Sequence, residues 1–132
     1  QWLMLQQDVP EDFVISTGKM YTVRQFIELC ALKLGWNKEN ENAIIWEGEG
    51  INEVGKRADT GEIVIRVDPR YFRPTEVDEL LGDSSKARKK LKWEPKISIA
   101  ELISEMIEED SKESQKEALL KNKGFPIYTS KE

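Results

Sequence analysis

Phe13-Val14-Ile15-Ser16-Thr17-Gly18, followed at once by Lys19-Met20-Tyr21-Thr22-Val23-Arg24-Gln25, decides the fold class of this sequence. An apolar run stopped by Thr-Gly predicts a short buried strand. Thr22 and Gln25 have the spacing of a capping box, in which each side chain satisfies a backbone N–H near the start of the helix. Behind them Val23, Phe26, Ile27, Cys30 and Leu34 recur at helical spacing, and Gly35 supplies the stop. The unit is strand, turn, helix.

Working outward, Ala43-Ile44-Ile45-Trp46 predicts a second strand and Glu62-Ile63-Val64-Ile65-Arg66-Val67 a third. Between them, residues 47–61 are polar, carry Gly48, Gly50, Gly55 and Gly61, and keep no period, which predicts a loop or an irregular hairpin. Asp83 is the expected N-cap of a helix from residue 84 to about 91, with Ala87 and Leu91 turned inward. Trp93-Glu94-Pro95 breaks the chain. Ser98 and Glu101 repeat the capping box and open a long helix with Ile99, Leu102, Ile103, Met106 and Ile107 on one face. Residues 111–123 continue it with little burial, and Gly124-Phe125-Pro126 ends it.

This alternation predicts an α/β unit with a short, partly parallel sheet and flanking helices. So thin a unit is expected to lean on another domain. Gln1-Trp2-Leu3-Met4-Leu5-Gln6 has helical spacing without a cap, so residues 1–7 read as the end of an upstream helix and the chain as a piece of a longer one. Residues from about 125 to 132 read as a loosely held tail.

Composition narrows the function. The 132 residues are 39% hydrophobic and 34% charged, enough for one globular domain, and the net charge of −5 argues against non-specific binding to nucleic acid or an anionic membrane. Histidine is absent and Cys30 is the one cysteine, which excludes zinc fingers, disulfide frameworks and Cys–His or Ser–His nucleophiles within this chain. No apolar run approaches the roughly 18 residues of a membrane span and no signal peptide is visible, so the cytoplasm is the expected location. Gly48-Glu49-Gly50-Ile51-Asn52-Glu53 begins like a dinucleotide fingerprint and fails it, because Glu53 replaces the third glycine and no helix follows. Lys86-Ala87-Arg88-Lys89-Lys90-Leu91-Lys92 reads as the solvated face of its helix. Glu108-Glu109-Asp110 fan out about 100° apart on a helix, which suits solvent better than a metal.

Val67-Asp68-Pro69-Arg70-Tyr71-Phe72-Arg73-Pro74-Thr75-Glu76-Val77-Asp78 resists such a reading. Pro69 and Pro74 limit the backbone freedom of Arg70 and Arg73 before any ligand arrives. A guanidinium matches phosphate oxygens in a bidentate way and stays charged at any working pH. Glu76 can accept hydrogen bonds from a sugar diol. Arginine for a diphosphate and a carboxylate for a ribose make a nucleotide clamp. The same residues also suit a surface ion-pair network around a rigid turn, and the pattern alone does not separate the two.

The stretches "VDPRYFRPTEVDELLGD" and "KARKKLKWEPKIS", with "WLMLQQDVPEDFVISTG" and "YTVRQFIELCALKLG" before them, resemble the C-terminal substrate-binding part of the GDP-mannose 4,6-dehydratases. These are extended short-chain dehydrogenase/reductase enzymes of the nucleotide-sugar branch. The likeness covers nearly the whole chain and is weakest over residues 36–61. It implies a lyase that, when intact, converts GDP-mannose to GDP-4-keto-6-deoxymannose and water, toward GDP-fucose, using tightly bound NADP. It assigns NADP and the catalytic Tyr-x-x-x-Lys pair to an N-terminal Rossmann domain. That leaves no catalytic, cofactor-binding or metal residue in 1–132, and a substrate-binding fragment that is inactive alone. By the same resemblance Arg73 meets the diphosphate and Glu76 the ribose hydroxyls, while Arg70 and Tyr71 line the loop without a definite role. The implied partners are GDP-mannose, the chain's own Rossmann domain and further copies of the intact enzyme, with no nucleic acid or membrane. The alternatives are another nucleotide-sugar epimerase, dehydratase or reductase of this superfamily, or a stand-alone non-catalytic nucleotide-binding module.

Overall fold

A computed structural model describes residues 1–38, 42–73 and 80–126. Its elements are α1 (Trp2–Leu5), α2 (Val23–Lys33), β1 (Ile44–Glu47), a 3₁₀ turn (Gly50–Asn52), β2 (Val54–Arg57), β3 (Ile63–Arg66), α3 (Ser85–Leu91) and α4 (Ile99–Asn122).

Helix α2 begins where the sequence predicts. Thr22 Oγ1 accepts the Gln25 N–H at 3.0 Å and Gln25 Oε1 accepts the Thr22 N–H at 2.9 Å. At its far end Gly35 is left-handed (φ 72°), and the N–H groups of Gly35 and Trp36 bond back to Leu32 and Ala31 at 3.0 and 3.1 Å. That paired closure turns the chain sharply. Trp36 packs against the small core of Ala31, Ala43 and Ile44, joined by Ile27, Trp46 and Ile65.

The three strands form an antiparallel sheet in the order β1-β2-β3. The expected parallel component is not among the described strands. Its absence has a physical cause, since β1, β2 and β3 are joined by turns far shorter than the dozen or so residues a parallel crossover needs. Residues 13–16, the predicted first strand, lie outside this ladder and carry no regular secondary structure. They lie against Gly82, whose carbonyl accepts from Ser16 Oγ at 2.7 Å. A Cβ at Gly82 would stand 2.9 Å from Ser16 Cβ and 3.2 Å from Val14 Cγ1, so glycine permits the approach.

Strand β2 lies inside the segment predicted as loop or irregular hairpin. Its sequence, Val54-Gly55-Lys56-Arg57, has almost no apolar signal of its own. Gly55 is opposite Trp46 on one side and Ile65 on the other, at a register shift with Lys56. Trp46 and Ile65 fill the space above it, and a Cβ there would meet Ile65 Cδ1 at 2.8 Å and Trp46 Cζ3 at 3.1 Å. Trp46 is held from α2 as well: its Nε1 donates to Glu28 at 2.9 Å, and the Arg24 guanidinium lies 4.5 Å from the ring centroid.

Helix α3 starts one residue later than predicted, because buried Ser84 takes the N-cap position while Asp83 accepts the Ser85 N–H at 2.9 Å. Ala87 and Leu91 are buried as expected. In α4 the Ser98–Glu101 box forms, and Ile103 is the fully buried member of the predicted apolar face. Leu102 and Met106, expected inward, are each 42% exposed, because α2 covers only one side of the helix. Residues 111–122 continue α4, and Gly124 (φ 77°) closes it with a Phe125 N–H bond to Leu120 at 3.0 Å. Of the predicted loose tail, residues 127–132 lie outside the described residues.

The Gly55 packing sets a stability expectation. Gly55→Ala should destabilise the protein by about 1–3 kcal/mol, the usual range for overpacking a filled site. A urea-unfolding midpoint unchanged by the substitution would mean that Trp46 and Ile65 give way freely.

Candidate nucleotide-binding loop

The loop follows β3, which ends at Arg66, and the four residues from Asp68 suit a turn. Asp at the first position and Pro at the second are favoured there, the carboxylate to bond the backbone and the ring to fix φ. Asp68 Oδ1 accepts the Arg70 N–H at 2.9 Å, and the Asp68 carbonyl accepts the Tyr71 N–H at 3.1 Å. The same carboxylate grips the Arg70 side chain: Nε and Nη2 reach Oδ2 at 3.0 and 2.6 Å. The Arg70 guanidinium, with that residue's N–H, holds the Asp68 carboxyl below the usual range, and Asp68 pushes Arg70 up. Arg70 also lies 5.4 Å from the centroid of the Tyr71 ring.

The structure therefore brings Arg70 and Tyr71 together and commits Arg70 to Asp68. Phe72 reaches the β1–β2 connection, its Cζ 4.0 Å from where a Cβ on Gly50 would stand. Arg73 is exposed at the end of the described stretch, and Glu76 lies outside the described residues.

The failed dinucleotide fingerprint is a tight loop. Gly48 is left-handed (φ 83°), a Cβ there would stand 2.5 Å from the Asn52 carbonyl oxygen, and the chain passes into the 3₁₀ turn. The basic cluster forms the exposed face of α3, as predicted, and that face also makes long-range contacts. Lys86 and Lys90 both pair with Glu11, Lys86 at 2.8 Å, and Lys86 also donates to the Asp12 carbonyl at 2.9 Å and lies over the Phe13 ring. Arg88 reaches the Thr17 carbonyl at 3.4 Å. These cations tie segment 11–17 to α3. Glu108 and Glu109 both pair with Lys112. Among the described residues no group of three His, Cys, Asp or Glu side chains is placed to hold a metal, and no helix is long and apolar enough to cross a membrane.

A groove of about 310 Å³ went unread in the sequence; Thr17, Lys19 and Tyr21 line one side and Pro95, Ile97 and Leu102 the other. Its walls come from segments far apart in the chain, so no local signal marks it.

A family model for GDP-mannose 4,6 dehydratase matches residues 1–106. The chain belongs to that family. A GDP-mannose 4,6-dehydratase of Vibrio cholerae is 47% identical over 142 aligned positions, which cover 100% of this chain and 37% of the relative. The Homo sapiens and Caenorhabditis elegans proteins of the same description are 49% and 50% identical over 109 positions, covering 83% of this chain and 28% and 27% of theirs. The chain thus spans little more than a third of the length of its bacterial relatives, in their C-terminal part. The family match takes in the whole of the loop and stops early in α4, so the outer part of that helix lies beyond it.

The clamp on segment 11–17 gives a pH expectation. Lys86 first and Lys90 second draw the Glu11 carboxyl from an ordinary 4.5 down to about 2. A carboxylate whose pKa falls on folding stabilises fully above its unfolded value, and that contribution disappears as the pH drops through about 2. Glu11→Gln should lower the unfolding midpoint at neutral pH, and the two proteins should converge at about pH 2. Curves that stay parallel down to that pH would show the ion pairs to be idle.

Proposed function

We propose that this chain is the GDP-gripping C-terminal domain, residues 1–132, of a GDP-mannose 4,6-dehydratase. The whole enzyme would convert GDP-mannose to GDP-4-keto-6-deoxymannose and water. The observation that carries this is the turn at Asp68, which follows β3 and leads to Arg73 within the stretch that matches the family. In this reading Arg73 meets the diphosphate and Glu76 the ribose hydroxyls. Arg70, bound in a fork by Asp68, is the weaker candidate for phosphate.

The NADP that the family implies finds no fitting residues among those described. A dinucleotide site needs a glycine-rich turn opening a helix, and the Gly48–Gly50 turn here closes on Asn52 instead. No step of the reaction is assigned to this chain. The Rossmann part of the longer polypeptide would supply cofactor and catalytic groups, and the working enzyme would be a homo-oligomer in the cytoplasm.

The test belongs to the full-length protein. Arg73→Ala should weaken GDP binding by about 1.5–3 kcal/mol, the range for charge-assisted hydrogen bonds. Glu76→Gln should cost less, because an amide oxygen still accepts from a hydroxyl. Calorimetric titration with GDP checks both. An affinity indifferent to Arg73 would return that residue to a surface ion pair, and tighter binding of a UDP- or dTDP-sugar than of GDP-mannose would move the assignment to another nucleotide-sugar enzyme.

A further inference from the structure

We propose that Tyr71 is the stacking platform for the nucleobase of the bound nucleotide, with Arg70 and Asp68 as the residues that hold its ring in place. The inference rests on Arg73 as the diphosphate ligand and carries that reading one step along the loop. Tyr71 is 76% exposed, against 42% for its neighbour Phe72, so its ring is not spent on packing. Yet it is not loosely held. Its N–H is tied to the Asp68 carbonyl at 3.1 Å, and the Arg70 guanidinium backs the ring at 5.4 Å, inside cation–π range.

Arg70 is suited to this and poorly suited to phosphate. Its Nε and Nη2 are engaged by Asp68, so the charge is answered locally while the flat guanidinium remains available to stack. The layer order is then guanidinium, phenol ring, base. Position along the chain agrees. Phe72 turns toward Gly50, while Tyr71, the last residue of the Asp68 turn, and Arg73, two residues on, are both exposed. Residues two apart in a chain lie at most about 7 Å from each other. In a nucleoside diphosphate a ribose separates the base from the phosphates by a comparable span, so one ligand can meet both residues at once.

The test uses the full-length enzyme, titrated with GDP and separately with pyrophosphate, which carries the charge and lacks the base. Tyr71→Ala should weaken GDP about tenfold and leave pyrophosphate unchanged, since stacking acts on the base alone. Tyr71→Phe should match wild type with both ligands. Arg70→Gln should weaken GDP by less than Tyr71→Ala and also spare pyrophosphate. Unchanged GDP binding in Tyr71→Ala overturns the proposal. So does an equal loss with both ligands, which would show Tyr71 acting through loop shape. A loss of pyrophosphate in Arg70→Gln makes Arg70 a phosphate ligand and removes its positioning role. Arg73→Ala with undiminished pyrophosphate binding is a separate failure: the diphosphate reading itself falls, and the stacking assignment with it.

Discussion

The absence of a side chain at Gly55 governs more of this structure than any single contact. Only there can Trp46 and Ile65 close over the middle strand, and that closure joins three short strands into one sheet. Trp46 is fixed in turn by Glu28 and Arg24 of α2, so the position of the helix is transmitted to the sheet through one indole. Strand β3 ends at Arg66, two residues before Asp68. The orientation of the candidate loop is therefore inherited from a packing decision on the far side of the sheet.

The core itself is small. Among the described residues its buried hydrophobic members are Ala31, Ala43, Ile44, Ala58, Ala87, Leu91 and Ile103, and alanine predominates. Alanines bury little area, so hydrophobic burial contributes modestly here. Capping boxes at both ends of the fold, two glycine closures and the Glu11 clamp take a correspondingly larger share. Helix α3 spans only Ser85–Leu91, too short to persist alone, and it stays formed because the segment before it in space is tied to its lysines.

What could be read from the sequence was whatever is written locally. Thr22 with Gln25 and Ser98 with Glu101 signal helix starts because both partners lie within one turn. Ala87 and Leu91 signal an inner face because the helical period carries it. The family was legible in the same way, from contiguous stretches. Strand β2 was not, because its apolar neighbours belong to β1 and β3 and its own central residue is glycine. The sheet direction misled because alternating elements suggest crossovers, whereas the strands actually follow one another through tight turns. The basic cluster was legible as an exposed helix face, but its pairing with Glu11 was not, because Glu11 lies far away in sequence. Arg70 was legible as a loop guanidinium. Its capture by Asp68, two residues earlier, was available in the spacing and went unread.

Helix α4 is anchored unevenly, and that has a kinetic meaning. Its first turns hold a capping box and buried Ile103, while farther along the ties are surface pairs such as Lys112 with Glu109 and Lys116 with Glu113. Surface pairs of this kind add little to the free energy of opening, and segments with few buried contacts open first. Amide protons of α4 will therefore exchange with solvent in a graded sequence, fastest toward Asn122 and slowest around Ile103. The helix behaves as a rod clamped at one end, so a disturbance of its outer turns fades before it reaches α2.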